Sequence, residues 1–296
     1  MTFESPRRKP GTRPIDIEVN GRTFSFVTRQ REDTTAIYKS DNSYIRIGDA
    51  ESIQRDLALH RKMETAGFPV AKVIAEGTHN GEAYFIETSL GDRHLGEVFA
   101  KEIEQNESIS DESFNEFLEV VSRFAKAQLT TATETKDFDA FSQGILLESL
   151  CEEMPECADR LRTRFEEVKS RAASFPFVLT HGDFSPNNLY PAGVIDLEDS
   201  FYGPYGYDVI GAISHIDSFP DSPEYEFFAK YRFTSEQKQK YLENLDAISA
   251  EAGLPSPTQF KDDFEFCRAV WLAAKIPHTP NLQSFRFNFI AKNFLG

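Results

Sequence analysis

One loop in the second half of the chain combines residue types that could transfer a phosphoryl group. An apolar run, Phe177–Thr180, leads into His181-Gly182-Asp183, and Asn188 follows five residues after Asp183. Phosphoryl transfer needs a carboxylate that orients the attacking hydroxyl and takes its proton, together with oxygen ligands for Mg²⁺. The Asp-x-x-x-x-Asn spacing brings both kinds of group into one loop. Asp183 is therefore the candidate catalytic carboxylate, and Asn188 is a candidate metal ligand.

A tight hairpin after this loop would add a second metal ligand. Pro191-Ala192-Gly193 suits a three-residue turn, because proline fits its first right-handed position and glycine its left-handed one. Side chains directly opposed across a hairpin have Cβ atoms about 4.5–5.5 Å apart. Asn188 and Asp196 would then offer two oxygens on one face, which is the kind of site that Mg²⁺ prefers. The pairs predicted by this register are Tyr190 with Val194, Leu189 with Ile195, and Asn188 with Asp196.

Three motifs in order along the chain resemble the aminoglycoside phosphotransferase and choline kinase superfamily. They are His-Gly-Asp-x-x-x-x-Asn at 181–188, Ile-Asp-x-Glu at 195–198 and Gly-Pro-x-x-Tyr-Asp at 203–208. The resemblance implies an α+β, protein-kinase-like fold with a small strand-rich N-terminal lobe and a larger, mainly helical C-terminal lobe. It implies a phosphotransferase with an alcohol group of a small molecule as acceptor. The roles it assigns are catalysis to Asp183, Mg²⁺ binding to Asn188 and Asp196, and structural support to Asp208 and His181.

The resemblance extends more weakly to the first lobe, where it implies the nucleotide contacts. Tyr44–Ile47 looks like the strand that carries a phosphate-contacting cation, which here would be Arg46. Asp56, on the following helix, takes the place where a glutamate is usual and would form an ion pair with Arg46. ATP is the expected donor, with GTP as an alternative. The residues whose backbone groups would meet the base are Glu87, Thr88 and Ser89.

The loop expected to cover the nucleotide phosphates departs from the family pattern. It covers about residues 28–38 and contains no glycine. Arg29, Gln30 and Arg31 lie there instead. Cationic side chains would then hold the phosphates in place of glycine backbone groups.

Charge is distributed unevenly along the 296 residues, which include 32 Lys and Arg and 48 Asp and Glu, for a net charge of −16. Residues 1–90 hold 13 of each sign, so the whole excess lies in residues 91–296. This balance disfavours nucleic acid as a partner, because phosphate backbones need a basic face. The simplest interpretation is a solvated surface. The alternative is attraction for a cationic acceptor, such as an amino sugar or amino alcohol, with Glu198 and Asp199 as its expected contacts.

Residue patterns divide the chain into a flexible tail, 1–14, an N-terminal nucleotide-binding lobe, 15–90, and a C-terminal catalytic and acceptor-binding lobe, 91–296. The first lobe reads mainly as strands, and Asn20-Gly21 is a strong hairpin turn. The helical pattern of period 3.6 dominates after residue 90. The predicted helices cover residues 51–66, 110–129, 156–173, 223–251 and 257–275.

Two other functions stay open. A catalytically inactive kinase-like protein that binds nucleotide or a protein partner would share these motifs, although Asp183, Asn188 and Asp196 are all present. A metallophosphatase also uses Gly-Asp and Asn, but its two metals need several histidine and carboxylate ligands. The six histidines of this chain form no such cluster in the sequence.

Cysteine usage and the N-terminus bear on the compartment. Cys151, Cys157 and Cys267 form no Cys-x-x-Cys pair, which is typical of a reduced, cytoplasmic protein. We find neither a signal-peptide pattern nor an apolar stretch of about 18 residues. We therefore expect a cytoplasmic enzyme with a small-molecule partner and no membrane partner.

Overall fold

The computed structural model describes residues 16–29, 35–214, 217, 219–220, 231–275 and 280–296. The chain forms two compact units, residues 1–59 with 72–89 and residues 60–71 with 90–296. The expected tail, 1–14, lies outside the described residues. So do residues 30–34 of the phosphate-covering loop, including Gln30 and Arg31.

The first unit is built on a six-stranded antiparallel sheet in the order β1-β2-β3-β4-β6-β5. Asn20 and Gly21 join the first two strands with φ of 54° and 72°, the left-handed pair that a two-residue hairpin requires. The strands are β1 (Ile17–Val19), β2 (Arg22–Arg29), β3 (Thr35–Ser40), β4 (Ser43–Gly48), β5 (Val73–His79) and β6 (Glu82–Thr88).

The two faces of strand β4 have different roles, because side chains alternate along a strand. Ile45 and Ile47 are buried in an apolar cluster with residues of β2, β3 and β6. Arg46 lies between them and points to the other face. The chain continues into α1 (Ala50–Thr65), which starts one residue before the predicted helix. Its Ile53 and Leu57 pack against Phe85 of β6.

The second unit is mainly helical and holds two short antiparallel sheets, β7 with β10 and β8 with β9. Its helices are α2 (Leu95–Asn106), α3 (Asp111–Thr130), α4 (Phe138–Gly144), α5 (Leu147–Glu153), α6 (Ala158–Ala172), α7 (Tyr207–Ser214), α8 (Ser235–Glu251), α9 (Lys261–Lys275) and α10 (Pro280–Phe294). Its strands are β7 (Phe177–Leu179), β8 (Leu189–Tyr190), β9 (Gly193–Val194) and β10 (Tyr202–Pro204). Among the described helices, none has both the length and the apolar composition needed to cross a membrane.

The start of helix α8 differs from the prediction, which placed it at residue 223. Residues 221–230 lie outside the described part, and 231–234 form no helix. Thr234 and Gln237 form a capping box in which each side chain accepts a hydrogen bond from the other residue's backbone N–H. This reciprocal cap fixes the first helical turn at Ser235. The predicted helix 257–275 likewise begins later, at Lys261, after a 3-10 helix, Pro257–Phe260.

Candidate active site

The loop after strand β7 is held by a buried carboxylate from the start of helix α7. Asp208 accepts hydrogen bonds from the backbone N–H groups of His181 (2.7 Å) and Gly182 (3.1 Å). The side-chain amide of Gln128, on α3, donates to the same carboxylate at 2.8 Å. Burial raises the pKa of Asp208, whereas His181 and the two backbone bonds act in the opposite direction. Asp208 therefore has the loop-supporting role that the resemblance implied.

His181 and Gly182 are structural parts of this loop. Nε2 of His181 lies 2.7 Å from the carbonyl oxygen of Ile195, so this nitrogen carries the proton and donates it. The ring is fully buried beside Phe184, at 5.9 Å between centroids. Gly182 has φ of 82°, and a Cβ there would lie 2.0 Å from the carbonyl oxygen of Asp199. Only glycine fits this position, because both its backbone angle and its surroundings exclude a side chain.

Asp183 and Asn188 lie next to each other, as the five-residue spacing predicted. Asn188 ends a 3-10 helix, Pro186–Asn188, and its Nδ2 donates to Oδ2 of Asp183 at 3.1 Å and to the Asp183 carbonyl at 2.9 Å. The amide nitrogen of Asn188 therefore faces Asp183. Its amide oxygen, the atom that could bind a metal, faces away from that carboxylate.

The predicted hairpin register is wrong by one residue. The observed pairs are Leu189 with Val194 and Tyr190 with Gly193, around a two-residue turn. Gly193 does not supply a left-handed backbone in this register. A Cβ there would lie 2.0 Å from the carbonyl oxygen of Pro69. Glycine is needed because two stretches of backbone approach closely, and the N–H of Val194 donates to that same oxygen at 2.7 Å.

Asp196 follows the hairpin in an unusual backbone conformation, with φ of 64° and ψ of 60°. A non-glycine residue in the left-handed region carries strain of roughly 1 kcal/mol or more, and such residues concentrate at functional sites. The N–H of Ile195 donates to the Asn188 carbonyl at 3.0 Å, so the chain segment that bears Asp196 stays beside Asn188. Because Asp196 has a left-handed backbone and not the extended one of the predicted hairpin, its side chain leaves the chain in a different direction from the one predicted.

The donor set of Asn188 and Asp196 fits a magnesium ion. It offers an amide oxygen and a carboxylate, both hard oxygen ligands, and Mg²⁺ takes one or two such groups and completes its shell with phosphate and water oxygens. In the described part of the chain, no three His, Cys, Asp or Glu side chains are grouped as a larger metal site. The residues present thus match the needs of Mg²⁺ in a phosphoryl-transfer site.

Glu198 and Asp199 lie in a short 3-10 helix, Leu197–Asp199, directly after Asp196. Glu198 is exposed. Asp199 is not, since 12% of its side chain is accessible and its Oδ1 lies 2.5 Å from Nζ of Lys275, at the end of α9. Of the two carboxylates expected to contact an acceptor, Asp199 therefore already has a cationic partner within the protein.

In the first unit, Arg46 forms an ion pair with Glu87, with Nε 3.1 Å from Oε1, and both side chains are almost buried. The sequence assigned to Glu87 a backbone contact with the base and missed this pairing. Asp56 lies 3.7 Å from Arg55, and its expected pairing with Arg46 stays a prediction. The N–H groups of Thr88 and Ser89 donate to carbonyls of Lys72 and Asn42, both at 2.9 Å. These two donors are therefore already used within the unit.

Comparison with known proteins decides the family. The profile of the phosphotransferase enzyme family (APH) matches residues 12–257. The chain belongs to this family. The resemblance read from the three motifs is therefore confirmed. A search of curated proteins gives no match.

Solved structures show that this member of the phosphotransferase enzyme family has the protein-kinase-like fold that the sequence predicted. An ethanolamine kinase from Plasmodium vivax shares 15% identity over 92% of this chain and 84% of its own, with a TM-score of 0.58. A glucosamine kinase shares 13% identity over 89% and 76%, with a TM-score of 0.54. An aminoglycoside phosphotransferase in a ternary complex with AMP-PNP and hygromycin B shares 14% over 91% and 90%, with a TM-score of 0.50.

Two cationic residues of this phosphotransferase were not predicted from the sequence, and both lie on helix α9. Arg268 donates from Nη2 to Oδ1 of Asp183 at 2.5 Å, and Lys275 contacts Asp199. The two positions are seven residues apart and share one helix face. No motif marks them, because each pairing joins parts of the chain that are 76 to 85 residues apart.

Proposed function

We propose that this protein is a small-molecule kinase that transfers the γ-phosphoryl group of a Mg-nucleotide to a hydroxyl group of a small acceptor. The observation that carries the proposal is the position of Asp183 beside Asn188, at 3.1 Å, in a loop whose backbone is fixed by Asp208. Phosphoryl transfer depends almost entirely on positioning and charge stabilisation, so a rigid loop with these groups suits it.

Asp183 would act on the acceptor. Its carboxylate accepts the hydrogen bond of the attacking hydroxyl and takes the proton as the new O–P bond forms. The bond from the γ-phosphorus to the bridging oxygen breaks, and the nucleoside diphosphate leaves with that electron pair. Asn188 and Asp196 would hold Mg²⁺, which neutralises charge on the phosphates.

ATP is the proposed donor, and GTP is the alternative. The aminoglycoside phosphotransferase named above was crystallised with an ATP analogue, which supports nucleotide use in this fold. In the first unit we assign Arg46 and Asp56 to the donor-phosphate region, and the backbone of Glu87, Thr88 and Ser89 to the base. For Thr88 and Ser89 this contact would involve groups other than their N–H donors, which already bond within the unit. The Arg46–Glu87 ion pair supports this assignment by fixing the guanidinium on one face of β4.

A hydroxyl compound that carries a positive charge is the proposed acceptor class. The excess of negative charge in residues 91–296 supports it, because such a field concentrates cations. The ethanolamine and glucosamine kinases with a similar fold are named for amino compounds. Glu198 is exposed and would bind the cationic group. Asp199 could do so only in competition with Lys275.

A single assay separates this function from its alternatives. The protein is incubated with Mg-ATP or Mg-GTP and a panel of acceptors: choline, ethanolamine, glucosamine, aminoglycosides, neutral sugars and hydroxy acids. Phosphorylated product is measured by mass spectrometry, with Asp183→Asn as the inactive control. We expect a phosphorylated cationic acceptor. Nucleotide binding without any product would instead indicate an inactive kinase-like protein, and product only from neutral or anionic acceptors would refute the acceptor class alone.

A further inference from the structure

The loop that contains Asp183, residues 181–188, is called the catalytic loop below. The arginine that pairs with Asp183 lies outside this loop, on a helix distant in the sequence. Residues 182–188 contain no Lys or Arg, and the guanidinium beside Asp183 comes from Arg268 in α9. Its Nη2 donates to Oδ1 of Asp183 at 2.5 Å, and its Nη1 donates to the carbonyl of Gly182 at 2.6 Å. Arg268 also lies beyond residue 257, where the match to the family ends.

The guanidinium is held in place from several sides. Only 3% of the Arg268 side chain is exposed, and its charge lies over the ring of Trp271 at 4.5 Å. The stem runs along α7, where a Cβ at Gly211 would lie 3.2 Å from Cγ of Arg268. A glycine inside a helix costs about 1 kcal/mol relative to alanine, so this one makes room for the stem at a cost to helix stability.

The two oxygens of Asp183 consequently differ. Oδ1 accepts a bond of 2.5 Å from the guanidinium of Arg268, whereas Oδ2 accepts a longer bond, 3.1 Å, from the uncharged amide of Asn188. Only the bond at Oδ1 joins two opposite charges, and such a bond is the stronger of the two. Oδ2 therefore keeps the greater capacity to accept a further hydrogen bond, and rotation of the carboxylate is prevented by the bond at Oδ1.

We propose that Arg268 is a positioning residue that fixes the Asp183 carboxylate and presents Oδ2 to the acceptor hydroxyl. The inference rests on the kinase function proposed above. In this role Arg268 acts on the loop and not on the substrates, since its two terminal nitrogens donate to the Gly182 carbonyl and to Asp183. Its contribution to catalysis is the orientation of Asp183.

The kinetic test compares Arg268→Ala and Arg268→Lys with the wild-type protein. A carboxylate misplaced by about 1 Å can cost a factor on the order of 10² in rate. We expect kcat to fall by about that factor in Arg268→Ala, while the KM for the nucleotide changes by less than about threefold. Guanidinium ion, at concentrations far below those that unfold proteins, should restore part of kcat in Arg268→Ala. Arg268→Lys should have a lower kcat than the wild-type protein, because lysine lacks the planar fork of donors that arginine has.

Arg164→Gln is the matched control for loss of a buried ion pair. Arg164 lies 2.6 Å from the fully buried Asp263 at the start of the same helix α9, and the second partner of Asp263 is Arg171, which is not a residue of the catalytic loop. We expect it to lower the melting temperature and to leave the kcat of the folded protein unchanged. If Arg268→Ala also keeps its kcat once the folded fraction is corrected for, Arg268 is merely structural and the proposal is overturned.

Two further measurements test the positioning role of Arg268 separately from the proposed kinase function. In Asp183→Asn, adding Arg268→Ala should change kcat little, because Arg268 acts through Asp183; multiplied defects would show that it acts elsewhere. Amide hydrogen exchange of residues 181–190 should accelerate in Arg268→Ala and not in Arg164→Gln. Equal exchange in both variants would overturn the positioning role, whereas a wild-type protein without turnover would refute the kinase function instead.

Discussion

Asp183 and Asp196 are carboxylates of one unit that are held in different ways. Asp183 receives bonds from Arg268 and Asn188, so its orientation is fixed by other side chains. Asp196 lies on a left-handed backbone, with φ of 64°, which sets the direction in which its side chain leaves the chain. A substitution at Asp183 should therefore change the chemistry of the loop, and one at Asp196 should change metal binding.

Replacement of Asp183 by asparagine should separate turnover from binding. The amide keeps the size of the side chain but cannot take the acceptor proton. We expect kcat to fall by a factor on the order of 10² or more, with nucleotide affinity within a small factor of wild type by calorimetry. A variant with nearly normal kcat would remove Asp183 from the reaction.

Replacement of Asp196 by alanine should abolish the magnesium-dependent part of nucleotide binding. Loss of a hard oxygen ligand leaves the triphosphate charge uncompensated. Calorimetric titrations with and without EDTA measure the effect: the variant in Mg²⁺ should resemble the wild-type protein in EDTA. Asp196→Asn is the control for the backbone, because asparagine tolerates the left-handed conformation. Unchanged affinity in Asp196→Ala would refute the metal assignment.

At the scale of elements, the β8–β9 hairpin depends on its contact with the carbonyl of Pro69. Gly193→Ala would place a Cβ only 2.0 Å from that oxygen. Overpacking of this kind typically costs about 1–3 kcal/mol. We expect a loss of that size in the free energy of unfolding, measured by urea titration. Ala192→Gly, in the exposed turn beside it, should cost much less, and an equal loss would contradict this explanation.

The sequence predicted elements whose determinants are local. Asn20-Gly21, the period of α3 and the Asp183–Asn188 spacing are all readable within a few residues, and the structure contains each. The prediction of the hairpin register was wrong because Gly193 is required by its close contact with Pro69, a residue 124 positions away in the sequence. Arg268 and Lys275 were missed for the same reason, since a lysine or arginine on a helix face gives no local sign of a distant carboxylate.

At the scale of the whole molecule, the net charge of −16 should act on encounter with substrate. Attraction between separated charges is screened over about 10 Å at 0.1 M salt. For a cationic acceptor, kcat/KM should fall as salt rises from low to physiological concentration, and a neutral acceptor analogue should show little change. Glu198→Gln should weaken this salt dependence, because it removes the exposed carboxylate assigned to the cationic group. Steady-state assays at several salt concentrations measure kcat/KM for both acceptors. The same salt dependence of kcat/KM for the cationic and the neutral acceptor would contradict the cationic-acceptor proposal.

The position of Arg268 also bears on the order in which the chain is synthesised. Domains generally fold as units, N-terminal first, while the ribosome adds about 5–20 residues per second. The first unit has all its strands once residue 88 has been made. The catalytic loop emerges much later, and the arginine that fixes its carboxylate follows after a further 85 residues. A nascent or truncated chain that ends before α9 would thus carry every recognisable motif and still lack the partner of Asp183.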